Sequence, residues 1–152
     1  LDLDNSCFKT RFISIKDALA FDKDYVVKIN NQIIEINNIL AMGNKHFGYR
    51  IRDQIIFYLL ENKENKLLDE SLAFDYQIMQ KILPTITGSD RIVKDILIEL
   101  YNYCNLDGQI IGDIDYIKYG EENLETALYP KSASKILMML RGYEDGFASF
   151  WQ

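Results

Sequence analysis

The residues able to do chemistry are few and scattered. His46 is the single histidine of the 152-residue chain, and nucleophilic catalysis needs a thiol or hydroxyl beside a base that a third group orients. His46 lies just past a helix end and beside Phe47, a place suited to helix capping or the open surface. Cys7 and Cys104 stand alone without a C-x-x-C spacing, so neither a zinc site nor a disulfide framework is indicated, and the pair reads as that of a reduced intracellular protein. Asn105, Asp107, Gly108 and Ile110 match inner positions of a calcium-binding EF-hand loop, but Tyr103 and Ile114 fall at its first and last positions, so the closing carboxylate is missing. Asp107-Gly108 therefore reads as a turn that closes a helix.

Phosphate chemistry is marked by what is absent and by one string that is present. No G-x-x-x-x-G-K-[ST] cradle occurs, and no apolar strand ends in paired acids that would hold magnesium. Phe47-Gly48-Tyr49-Arg50-Ile51-Arg52-Asp53, however, puts a glycine and two arginines at a helix start. An arginine there emerges beside free backbone N–H groups and the positive end of the helix dipole, where an anionic oxygen is favoured. The plain alternative is a pair of surface arginines facing Asp53 or Glu61.

Helices position these residues. Ile29, Ile33, Ile36 and Leu40 recur at helical spacing and predict a first helix that stops at Gly43-Asn44. A second is expected from Phe47-Gly48 through Ile51, Ile55, Tyr58 and Leu59, with the polar run Glu61 to Lys66 as a surface loop. Asp69 or Ser71 caps a third, with Leu72, Tyr76, Met79 and Leu83 on one face, limited by Pro84. Ser89 caps a fourth with Val93, Ile96, Leu97 and Leu100 as its stripe. Residues 105–128 form a long acidic connection with a strand around Tyr116 to Tyr119. Pro130 opens a fifth helix carrying Ile136, Met139, Leu140 and Tyr143, and Gly146 ends it. Before Ile29, Phe8, Phe12, Ile13 and Ile15, then Tyr25, Val26 and Val27, alternate as two short strands, a hairpin or an irregular segment. The expectation is a mainly α protein, a bundle of about five helices over 29–152, preceded by a strand or linker segment over 1–28.

Composition bounds the partners. With 48% hydrophobic and 26% charged residues the chain has the balance of one soluble globular domain. Its formal charge of −6 disfavours phosphate backbones and anionic lipid, and with them a helix-turn-helix DNA reader. No apolar run approaches the ~20 residues of a membrane span. The chain starts at Leu1 without a basic, then apolar leader, and reads as a piece of a longer cytoplasmic protein whose chemistry sits upstream.

Four strings share one likeness. Phe47 to Asp53, then Ala73-Phe74-Asp75-Tyr76-Gln77-Ile78-Met79-Gln80-Lys81-Ile82-Leu83-Pro84, then Tyr129-Pro130-Lys131-Ser132-Ala133-Ser134-Lys135-Ile136, and finally Asp145-Gly146-Phe147-Ala148-Ser149-Phe150-Trp151 stand in order. Over about Ile29 to Trp151 the chain resembles the C-terminal region of McrB-like AAA+ NTPases, the motor subunits of modification-dependent restriction systems.

The resemblance implies a helical lid that closes over a nucleotide held by an upstream core. Arg50, in the G-x-R pattern with Gly48, takes the place of the sensor-2 arginine that reaches the γ-phosphate. Arg52 is the fallback, because two positions along a helix point roughly opposite ways. It further implies ATP or GTP with Mg2+ in the complete protein, neighbouring subunits of a ring and a nuclease subunit as partners, and no direct nucleic-acid or membrane contact by this region. The Walker and arginine-finger positions are missing, so this chain by itself is expected not to hydrolyse nucleotide. The rival reading is a freestanding helical interaction domain. The aromatic tail predicts a fixed segment with Trp151 buried against the helices of 47–60 or 131–143.

Overall fold

The computed structural model describes residues 14–151. Seven α-helices are present among them: α1 (Ile15–Phe21), α2 (Lys23–Ala41), α3 (Tyr49–Asn65), α4 (Glu70–Gln77), α5 (Arg91–Cys104), α6 (Tyr116–Glu122) and α7 (Pro130–Glu144). No strand occurs among the described residues; a lone antiparallel bridge joins Gly88 to Ala148. No helix is long and apolar enough to cross a membrane, again among the described residues.

α2 shows how the helical pattern wins over local strand preference. Tyr25, Val26, Ile29, Ile33, Ile36 and Leu40 are all buried, a single stripe at spacings of three and four. Tyr25 to Val27 therefore belong to a helix, not to a second strand, and the helix crosses the expected boundary between residues 28 and 29. Asp22 starts it by accepting the Tyr25 N–H at 3.3 Å. The Lys63 ammonium donates to the same carboxylate at 2.8 Å and, with the Tyr25 N–H, holds it below its usual pKa. Of the expected first strand, Phe8, Phe12 and Ile13 lie outside the described residues, and Ile15 opens α1.

α3 continues through the polar run that reads as a loop. Asn62 is buried, and its side chain both donates to the Leu68 carbonyl and accepts the Leu68 N–H, at 2.9 and 2.8 Å. This satisfies the turn after the helix, which ends with Lys66 at φ 51°. α4 is followed by a π turn (Ile78–Ile82) and a 3-10 turn (Leu83–Thr85). α4 buries Ala73 and Phe74 while Leu72 and Tyr76 are only half-buried, and the π turn, whose bonds run from i to i+5, buries Ile78 and Ile82 and leaves Met79 half-buried before the buried Leu83. The residue flanking α5 is Asp90 rather than Ser89.

α5 and α7 form the central pair. Ile96, Leu97, Leu100 and Tyr101 of α5 and Ala133, Ile136, Leu137 and Leu140 of α7 are essentially inaccessible. The acidic connection is built onto this pair. Tyr116 to Tyr119, expected as a strand, lie in α6, whose buried residues Tyr116 and Gly120 are four apart, the spacing of one helix face. A Cβ on Gly120 would come within 2.5 Å of Leu137 Cδ2, so glycine lets α6 approach α7 closely, and the Tyr101 hydroxyl donates to its carbonyl at 2.6 Å.

Candidate functional site

The string from Phe47 to Asp53 sits between α2 and α3. The Phe47 N–H donates to Asn37 Oδ1 at 3.0 Å, which ties the connection back onto α2. Gly48 is the N-cap of α3, with φ −83° and ψ 177° and no side-chain cap. A Cβ there would meet nothing within 4 Å, so neither packing nor backbone conformation demands glycine. No side chain caps the first N–H groups of α3, and uncapped N–H groups at a helix start favour an anion.

The two arginines have different fates. Arg52 donates from Nε and Nη2 to Asp53 Oδ1, at 2.9 and 2.7 Å, and its guanidinium lies 4.7 Å from the centre of the Tyr49 ring. It is half-buried and engaged on two sides. Arg50 is exposed and forms no ion pair or hydrogen bond among the described residues. Its guanidinium is therefore available to a group from outside the chain. Tyr49, 77% exposed, flanks it.

The other three strings are structural joints. Asp75 is fully buried on α4, yet it caps α7: the Lys131 and Ser132 N–H groups donate to its two carboxylate oxygens at 2.9 and 2.8 Å, and the Ser132 hydroxyl donates to its carbonyl at 2.9 Å. Phe74 packs on Tyr129, ring centres 5.2 Å apart, and the Leu128 and Tyr129 N–H groups donate to the Cys104 carbonyl. No sequence signal joins Asp75 to a helix start more than fifty residues away, so this cap is visible only in the fold.

The last string ends α7 and fastens the tail. Gly146, at φ 119°, donates to the Tyr143 carbonyl and Phe147 to that of Gly142, the paired bonds of a Schellman stop. Ala148, not an aromatic residue, is buried, and it exchanges backbone hydrogen bonds with Gly88 at 2.9 and 3.0 Å. Trp151 is 80% exposed, which corrects the expectation that it is buried in its own chain. The bridge fixes Ala148 inward, and the turn closed by Trp151 N–H to Ser149 Oγ aims the indole outward.

The remaining chemical candidates are internal fittings. Asn105 donates to the Tyr101 hydroxyl and the Asn123 carbonyl and accepts from Thr126, so its side chain closes the acidic connection rather than facing an ion. Among the described residues no group of three or more His, Cys, Asp and Glu is placed to hold a metal. Burial pushes the Cys104 thiol well up, against formation of a thiolate. His46 is exposed.

Fold and surface together define a helical module in which Arg50, at an uncapped helix start, is the one arginine among the described residues without an ion pair or hydrogen bond. The chain belongs to the family described as Domain of unknown function (DUF8727), which matches residues 2–147. No curated protein and no solved structure matches it.

Proposed function

We propose that this chain is the lid of a McrB-like AAA+ NTPase, closing over ATP or GTP with Mg2+ held by a core elsewhere in the protein. The observation that carries the reading is the contrast within one string: Arg52 is bound to Asp53 and Tyr49, whereas Arg50 has no ion pair or hydrogen bond among the described residues. Guanidinium is always charged and forks onto phosphate oxygens, and it stands beside the unpaired N–H groups of α3, so the pair suits a γ-phosphate. Contact with that phosphate favours the closed lid, and its loss after hydrolysis releases the lid and shifts packing against neighbouring subunits. Such a protein works in the cytoplasm, and a nuclease subunit is the natural recipient of the motion.

The test is Arg50→Ala in the complete protein with Arg52→Ala as control. Arg50→Ala should lower hydrolysis or nucleotide-dependent assembly at least about tenfold, the equivalent of ~1.4 kcal/mol, while Arg52→Ala should not. Wild-type behaviour of both variants would refute the sensor role. A second reading, a freestanding interaction module, draws on the exposure of Tyr49, Ile110, Ile114 and Trp151. A P-loop in the ~250 codons upstream, a span of typical domain size, separates the two.

A further inference from the structure

The acidic connection between α5 and α6 contains a short stretch of chain that is hydrogen-bonded along one edge only. Asn102, on α5, accepts the Ile111 N–H at 2.9 Å and donates to the Ile111 carbonyl at 3.0 Å. One side-chain amide meets both groups of a single residue where the backbone is extended, because there the N–H and C=O point the same way, as in the bonded pair of a β-ladder. The side chains alternate accordingly: Ile111 is buried, and Ile110 and Gly112 are exposed. The stretch is held on both sides, since the Gly108 N–H donates to the Asn105 carbonyl and Asp113 is bound by Arg91 and Lys94.

Peptide geometry sets the other edge. Every peptide bond among the described residues is trans, and in a planar trans unit the C=O and the N–H point opposite ways. The Ile110 carbonyl therefore points away from Asn102, and so does the Gly112 N–H. Neither has a hydrogen-bond partner among the described residues. A Cβ on Gly112 would meet nothing within 4 Å, so the space about this residue is open. An acceptor and a donor two residues apart, on a backbone already fixed, are what an added strand needs, and the fixing removes much of the ordering cost of docking.

Charge specifies the partner. Residues 105–128 carry six carboxylates and one lysine, Lys118. Asp113 is taken up by Arg91 and Lys94, but Asp107 and Asp115, both exposed, form no ion pair among the described residues. Carboxylates beside an open edge set two such edges against each other and so oppose pairing of copies. The same field attracts lysine and arginine. Ile110 and Ile114, 77% and 76% exposed, add apolar contact.

We propose that residues 110–112 are a β-augmentation site for an extended basic peptide of another protein, one that alternates apolar residues with lysine or arginine. Its main chain donates an N–H to the Ile110 carbonyl and accepts the Gly112 N–H, the two bonds that a neighbouring strand makes to residues on either side of Ile111. Its apolar residues cover Ile110, and its cations reach Asp107 and Asp115. The site does not depend on Arg50 meeting a nucleotide.

The test follows the amide correlation spectrum of the 152-residue chain at low salt while acetylated, amidated heptapeptides of lysine alternating with valine or with threonine are added. Saturable binding with Kd on the order of 0.1–1 mM is expected, the Gly112 amide proton moving downfield as it gains an acceptor. A fully N-methylated Lys–Val peptide keeps the charges and side chains but has no main-chain donor, and a Glu–Val peptide reverses the charge; each should bind at least about tenfold more weakly. Asp107→Asn with Asp115→Asn should weaken Lys–Val binding at least about fivefold while shifting the Tm by less than about 2 °C. The peptide arms need no variant. Three results overturn the proposal: no saturable shift at Ile110 and Gly112 with either lysine peptide up to about 5 mM, equal binding of the N-methylated peptide, or broadening at this edge that grows with protein concentration without any peptide, which would make a second copy the occupant.

Discussion

Removing the Asp75 carboxylate should loosen the whole bundle, because this side chain of α4 completes the first turn of α7. In Asp75→Ala the Lys131 and Ser132 N–H groups lose acceptors at 2.9 and 2.8 Å, and Ser132 is fully buried, so water cannot replace them freely. A hydrogen bond to a charged group contributes about 1.5–3 kcal/mol, and an orphaned buried donor costs a similar amount. Two such bonds, less the desolvation recovered with the carboxylate, give a loss of about 3 kcal/mol. That is a large share of the 5–15 kcal/mol typical of a domain. At ~2–4 °C per kcal/mol for a chain of this size, the melting temperature should fall by about 6–12 °C. Urea unfolding followed by far-UV circular dichroism checks it: the midpoint should drop with the slope unchanged. Ser132→Ala, which removes only the hydroxyl bond to the Asp75 carbonyl, should cost about 1 kcal/mol. An Asp75→Ala loss below about 0.5 kcal/mol, the level of an ordinary surface change, would refute the claim that this cap joins the two helices.

Gly120→Ala should destabilise by about 1–3 kcal/mol in the same urea assay, since the added methyl meets Leu137, which is fully buried and has nowhere to go. Stability should fall in alkali. Burial raises Tyr129 from 10.0 to about 12 and lifts Tyr25 and Tyr103 as well, so the neutral phenols stabilise the fold fully below the unfolded value near 10, and that contribution is lost as pH rises through about 12. Absorbance of tyrosinate should show a late fraction of tyrosines that ionise together with unfolding. Deleting residues 147–152 should cost about 2–4 kcal/mol through loss of the Gly88–Ala148 bridge and of Phe150 against Lys135. Trp151→Ala alone should change the melting curve of the monomer by less than about 0.5 kcal/mol.

The sequence by itself determined those parts whose signal is local. Ile29 to Leu40, Val93 to Leu100 and Ile136 to Leu140 repeat at helical spacing, and Pro130 and Gly146 mark the limits of α7, because burial of one helix face and the geometry of helix ends depend on residues a few positions apart. Arg50 at a helix start was equally legible. The helical state of Tyr25 to Val27 and of Tyr116 to Tyr119 was not, because β-branched and aromatic residues prefer strands until tertiary packing outweighs the preference. The buried face of α4, carried by Ala73, Phe74 and Gln77 rather than Leu72 and Tyr76, was likewise not legible. Only the tertiary structure decided which arginine is engaged, that Asp75 caps a distant helix, and that Ala148 rather than Trp151 turns inward. Each of these depends on partners brought together across many residues of chain, and no spacing within a string encodes a contact whose other half lies in a different helix.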